Sequence, residues 1–205
     1  MIDRRRLLAG GAAAAVMALV SACTRRGANL AAPATAYPAS LEPTPACDDG
    51  DDPTPEQTEG PYFTPNSPEK DDFTADVSAG TRLVVAGTVL STGCRPVARA
   101  LLDFWHADDD GNYDNEGYRL RGHQYTDDQG RYRLTTIVPG LYTGRTRHIH
   151  VKVQAPGGPV LTTQLYFPDE PQNRTDGIFA PELLMDVSDA SDGKDASFTF
   201  VVATS

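Results

Sequence analysis

The sequence predicts an all-β fold, a β-sandwich of about seven to eight strands with an irregular N-terminal arm. Three observations carry that reading. Short runs rich in Val, Ile, Thr, Tyr and Phe, several with clean period-two alternation, recur from about residue 80 onward. Turn signals (DDDGN, DDQG, PGL and APGGP) separate them. No stretch before residue 179 holds an amphipathic helical period of useful length. Short strands at this spacing fit one sandwich or barrel, and such a domain buries an ordinary core unaided.

Before the strands come a leader and a tether. MIDRRRLLAGGAAAAVMALVSAC places Arg4, Arg5 and Arg6 ahead of an apolar segment and small residues, the layout of an export signal over residues 1–22. The adjacent arginines point to the twin-arginine type. Val20-Ser21-Ala22-Cys23 resembles a bacterial lipobox, which makes Cys23 a candidate for lipidation at the mature N-terminus. An uncleaved anchor is the alternative, although the apolar run is shorter than the ~20 residues a span needs. The protein is therefore expected to be exported (periplasmic, cell-surface or extracellular), with a membrane link only through a lipid on Cys23. Residues 23–57, rich in Ala, Pro, Thr and Asp, read as a tether and arm, and 58–205 as the folded domain.

The strand runs follow in order: RLVVAGTVL (82–90), VARALLDFWHA (97–107), GYRLRGHQYT (117–126), RYRLTTIV (131–138), RHIHVKVQA (147–155), VLTTQLYF (160–167) and ASFTFVVAT (196–204). Residues 1–22 carry three arginines and one aspartate, so their removal takes the net charge from −10 to −12. An acidic chain without a basic run argues against nucleic acid and against electrostatic docking to anionic lipid. Besides Cys23 there are two cysteines, Cys47 and Cys94. An even pair in an exported protein points to a disulfide that staples the arm onto the domain.

Within RHIHVKVQA, His148 and His150 lie two apart on a strand and share a face, with Ile149 on the opposite one. By itself this pattern is either a metal site or a pair of surface or packing histidines. Tyr113 closes the turn DDDGNY and Tyr142 lies in PGLY, just upstream of the histidine strand. Each is equally compatible with an ordinary strand-edge tyrosine. Trp105 is expected in the core and His106 at a polar edge.

In combination these segments say more. EGPYF, FWHADDDGNY, TDDQGRYRLTTIVPGLYTGR, RHIH and TTQLYF, in this order and spacing from about Thr58 to Phe167, resemble the intradiol ring-cleavage dioxygenases. Those are non-haem iron enzymes that split catechols between the two hydroxyls. The chain is most similar to exported, single-domain members, which also begin with a Cys-bearing arm before TEGPY. The resemblance implies Fe(III) held by Tyr113, Tyr142, His148 and His150. A hard trivalent ion favours anionic oxygen, and imidazole also suits iron. Two tyrosinates plus one hydroxide balance its charge, so the site tolerates a poorly solvated cleft. The substrates implied are a small aromatic diol and O2, and the product a muconate-type diacid. Tyr142 is the ligand expected to leave when the diol chelates, and the released phenolate then accepts a proton. Arg145 matches the family's active-site arginine, suited to stabilising charge on the ring; Arg147 is the competing candidate, facing away from the histidines by alternation. Gln164 matches a family glutamine near the iron. Tyr62 either borders the substrate pocket or clips the arm to the domain.

The chain departs from the cytosolic members in lacking their N-terminal helical dimerisation segment, in a brief TGRTR link from Tyr142 to His148, and in Arg147 before the first histidine. Two rival readings stand beside the dioxygenase: a non-catalytic β-sandwich binding module, and a zinc or copper protein using His106, His123, His148 and His150.

Overall fold

Period-two alternation forces each strand to choose a face, and in β5 (His148–Gln154) every second residue, Ile149, Val151 and Val153, is fully buried in the hydrophobic core. The computed structural model describes residues 52–204. The expected leader, Cys23, and the Cys47 half of the expected Cys47–Cys94 bridge lie outside them. The described residues form nine strands and three short 3-10 turns, with no α-helix among them.

Six of the seven runs become single strands: β1 (Arg82–Ser91), β2 (Leu101–Trp105), β3 (Arg121–Tyr125), β4 (Arg131–Ile137), β5 and β6 (Val160–Tyr166). The seventh divides between the end of β8 (Gly193–Ser197) and β9 (Phe200–Val202). β7 (Asp186–Ala190) is the strand whose sequence gives no warning. DVSDA is mostly polar, and it needs no apolar face because it pairs only with β8 at the sheet edge.

Two sheets face each other. One has five strands in the order β4-β1-β8-β7, with β9 also paired to β1; the other has four, β3-β2-β5-β6. Leu83, Val85 and Leu134 on the first meet Leu102, Phe104 and Ile149 on the second, all with no solvent exposure. Burying each such side chain stabilises the fold by ~1.5–3 kcal/mol relative to leaving it in water.

The arm continues past residue 57 into the start of the folded domain, and its residues up to Phe63 cover the outer face of the four-stranded sheet. Gln57 N–H donates to Thr162 O (2.8 Å) and Thr163 Oγ1 to Pro55 O (2.7 Å) on β6, while Thr54 N–H donates to Val201 O (2.9 Å) on β9 of the five-stranded sheet. Lys152 pairs with Glu59 and sits 4.3 Å from the Phe63 ring centre. In the antiparallel register Trp105 pairs with His150 and His148 with Tyr166. The β2–β3, β4–β5 and β6–β7 connections therefore leave the four-stranded sheet at the same end, where the candidate residues collect.

Candidate metal centre

The first and third residues of β5, His148 and His150, supply the candidate nitrogen donors. His148 and His150 are 4% and 3% exposed, and their Nε2 atoms lie 3.2 Å apart. His148 Nδ1 is 2.6 Å from the Thr146 carbonyl, which only accepts, so the proton sits on Nδ1 and the Nε2 lone pair is free. That lone pair also faces the Tyr113 hydroxyl at 3.1 Å. Burial is the main reason both imidazoles stay neutral. It pulls the pKa of His148 down to about 4, and that of His150 well below its ordinary value. The His150 ring is clamped between Trp105, stacked at 4.8 Å, and Gly60 of the arm. Gly60 has φ +69°, and a Cβ there would stand 3.3 Å from His150 Cε1. Trp105 is thus buried as expected, but against the histidine on the outer face rather than between the sheets.

Two turns that touch through glycine bring the tyrosines in. Gly140 N–H donates to Asp108 O at 2.7 Å. A Cβ on Gly140 would fall 2.4 Å from Asp109 O, and one on Gly111 2.3 Å from Leu141 O. Only residues without side chains allow this approach. Its result is that the Tyr113 and Tyr142 rings lie 5.8 Å apart, edge to face. Tyr62 completes the group, stacked on Tyr113 at 4.5 Å and hydrogen-bonded to the Tyr142 hydroxyl at 2.9 Å. Its backbone carbonyl accepts from the buried guanidinium of Arg121, which also donates to Asp114 O at 2.5 Å. Burial pushes the Tyr113 phenol well above its usual range, opposed by the charges of Arg145 and Arg121.

These residues fit a trivalent metal. The set offers two neutral imidazoles, one with its lone pair fixed by a carbonyl partner, and two phenols. Without a cation, burial keeps Tyr113 protonated; a bound trivalent ion reverses that preference, as bound metals do for water and thiols. Hard oxygen with imidazole suits iron.

Arg145 reaches the same place from the β4–β5 connection. Its Nε donates to Asp176 (2.8 Å) and its Nη2 to Gln164 Oε1 (2.7 Å). It does have a carboxylate partner, yet the pair is largely buried, at 17% and 2% side-chain exposure. Gln164 is fully buried and donates to the arm at Thr58 O (2.7 Å). Arg147 turns the other way, to Glu170 (2.6 Å) and the Pro139 carbonyl. His106 and His123 stand apart from the group. His106, expected at a polar edge, is instead buried and commits both nitrogens, to Ala107 O and Thr136 Oγ1 (2.7 Å each), and His123 bonds Ser67. Among the described residues no cluster of three His, Cys, Asp or Glu side chains is set to hold a metal, so the zinc or copper arrangement finds no support. The binding-module reading predicts lost donors, and all four are here. Sequence reasoning missed Asp176, Thr146, Tyr166 and Arg121; only spatial neighbours mark them.

Fold and side chains define a β-sandwich of the dioxygenase class, and residues 58–202 match the family model described as Dioxygenase. The chain belongs to the intradiol ring-cleavage dioxygenase family. The protocatechuate 3,4-dioxygenase beta chain of Burkholderia cepacia is 35% identical over 127 residues, which is 52% of this chain and 54% of its own length. Hydroxyquinol 1,2-dioxygenase of Rhizobium sp. (strain MTP-10005) is 31% identical over 143 residues, 57% of this chain and 48% of its own. The chain thus spans about half the length of these curated relatives. A solved structure, the dioxygenase domain of a dioxygenase carbohydrate-binding protein fusion from Streptomyces sp. SirexAA-E, superposes with a TM-score of 0.73. It is 55% identical and covers 75% of this chain and 100% of that one.

Proposed function

We propose that the protein is an Fe(III)-dependent intradiol dioxygenase that cleaves a catechol-type aromatic with O2 to a muconate-type diacid, acting outside the cytoplasm. The observation that carries this reading is that His148 Nε2, its lone pair free, meets the Tyr113 hydroxyl at 3.1 Å and His150 Nε2 at 3.2 Å, with Tyr142 beside them. Tyr113, Tyr142, His148 and His150 would hold the iron. Bound Fe(III) supplies a Lewis acid that draws electron density from a catecholate.

The remaining chemistry belongs to the chain. The Tyr142 phenol oxygen has the Tyr62 hydroxyl as a partner at 2.9 Å, which orients it and supports its part as proton acceptor for the diol. Tyr62, stacked on Tyr113, walls the site on the arm side. Arg145 places a fixed positive charge near the two histidines and Tyr113; it reinforces burial in keeping the imidazoles neutral, opposes burial at the Tyr113 phenol, and is suited to stabilise negative charge on a bound ring. Gln164 ties that guanidinium to the arm.

Residues 1–22 serve as the export signal in this reading, 23–57 as tether and arm, with Cys23 lipidated and Cys47 bridged to Cys94. Reconstitution with iron should give a red to purple protein, and oxygen uptake over a panel of catechols should identify the substrate. A colourless, iron-free protein after iron supplementation overturns the proposal. Mass analysis of the exported chain, reduced and unreduced, tests the processing and the bridge.

A further inference from the structure

Asp176 lies in the β6–β7 connection, and nothing in the sequence attaches it to the metal centre. Its side chain is 2% exposed, yet every hydrogen bond it accepts comes from a defined donor. Oδ2 accepts from Arg145 Nε at 2.8 Å and from Thr146 N–H at 2.9 Å, and Oδ1 from Ile178 N–H at 3.1 Å. A buried carboxylate needs such complete pairing. Burial alone would raise its pKa; the Thr146 and Ile178 N–H groups and the guanidinium outweigh that and lower it.

Each partner leads into the site. Arg145 passes on to Gln164 Oε1 at 2.7 Å and Tyr166 Oη at 3.4 Å. Thr146 is fully buried, gripped at its N–H by Asp176 and at its hydroxyl by Asn173 Oδ1 (2.5 Å), and both holds come from the same connection. The Thr146 carbonyl then accepts from His148 Nδ1. That last bond leaves the Nε2 lone pair pointing at Tyr113 and His150.

We propose that Asp176 is a positioning residue of the metal centre, whose one buried carboxylate aims the Arg145 guanidinium and, through Thr146, fixes the tautomer of His148. Its consequence for iron rests on the iron-centre reading, whereas its consequence for His148 does not. Asp176→Asn keeps the size but replaces an acceptor oxygen by a donor. The remaining oxygen cannot serve Arg145, Thr146 and Ile178 together, so the hold on Arg145 or Thr146 is released. Outer partners of this kind typically change metal affinity or activity by ~10–100-fold.

The test is 15N–1H correlation of the imidazoles in the full-length, iron-free protein, alongside Fe(III) retention and thermal melting. Wild type should show His148 protonated at Nδ1. Asp176→Asn should admit the Nε2–H tautomer and lose iron about 10–100-fold more readily, with a minor change in melting temperature. Asn173→Ala loosens the same grip on Thr146 and should shift the tautomer in the same direction but less, which keeps the test alive if Asp176→Asn fails to fold. A tautomer shift in the variants, together with a wild-type protein that takes up no iron, upholds the positioning and overturns the iron reading instead. An unchanged His148 tautomer in the folded variants, or a lowered melting temperature as the sole effect, overturns the role of Asp176.

Discussion

On one face of β5, Ile149, Val151 and Val153 meet other apolar side chains of the sandwich core. On the opposite face, one residue out of step, His148 and His150 meet groups delivered by the arm and by the β2–β3 and β4–β5 connections. The β6–β7 connection braces the latter through Asp176 and Asn173. Apolar packing is non-directional, so the inner face needs residues of about the right size and tolerates substitutions that conserve volume. The outer face is directional: His148 Nδ1 has one carbonyl, Arg145 Nε one carboxylate, and Gln164 bridges arm and arginine. In networks of this kind one missing partner leaves another buried group unpaired. Stability and chemistry are therefore separated across a single sheet by a shift of one residue.

Replacing one residue from each face should split the two properties. His150→Ala is expected to abolish bound iron and colour and to reduce turnover at least ~1000-fold, the order seen when an essential catalytic group is removed. The apoprotein should stay folded. Ile149→Ala should do the reverse, costing ~2–5 kcal/mol of stability, while the folded fraction still binds iron. Denaturant unfolding and visible absorbance of both variants read the two effects separately. If Ile149→Ala bleaches the site while fully folded, the faces are not independent.

Acid should expose a second difference. Burial lowers the pKa of His106 to about 4 from an ordinary value of 6.5. The unfolded chain therefore takes up a proton first as the pH falls. The resulting stability is fully present above about 6.5, is lost by up to ~1.4 kcal/mol per pH unit between 6.5 and 4, and changes no further below. His106→Gln should flatten this slope by one proton's worth in urea titrations of the apoprotein. An unchanged slope would show that His106 is not a buried neutral base. Burial pushes the phenol of Tyr132, which lies in the inner cluster, above its usual range, so it stays neutral in acid and adds no such slope.

How much was legible follows the same division. Alternation in RHIHVKVQA was enough to foresee β5, because a buried face imposes period two, and the β-branched apolar run RLVVAGTVL marked β1. DVSDA escaped because an edge strand with a solvated face has no hydrophobic period to read. At the site, His148, His150, Tyr113 and Tyr142 were legible as a family pattern, and the structure brings them together. Asp176 was not, since it lies 28 residues beyond His148 and reaches Arg145 and Thr146 only after β5 and β6 have paired. Trp105 was expected in the core because it is large and apolar. Its stacking on His150 depends on the β2–β5 register, which local pattern does not determine.

The smallest effect concerns Gly60, where the arm meets the outer face. Alanine there pays the cost of a left-handed backbone, roughly 1–2 kcal/mol, and sets a methyl 3.3 Å from the His150 ring. Gly157, with φ +72° in the β5–β6 turn, provides the comparison. It lies beyond the Gln154–Val160 pair, at the opposite end of the hairpin from His148. Gly157→Ala should carry a similar backbone cost with no effect on the site. Gly60→Ala alone should move the visible iron band and raise the KM for a catechol, because the methyl pushes either the arm or the imidazole aside. Two variants of equal stability that differ only in spectrum and KM would establish the arm as a wall of the site. Identical spectra would mean that the arm covers the sheet without shaping it, and the outer face would owe its geometry to the three connections alone.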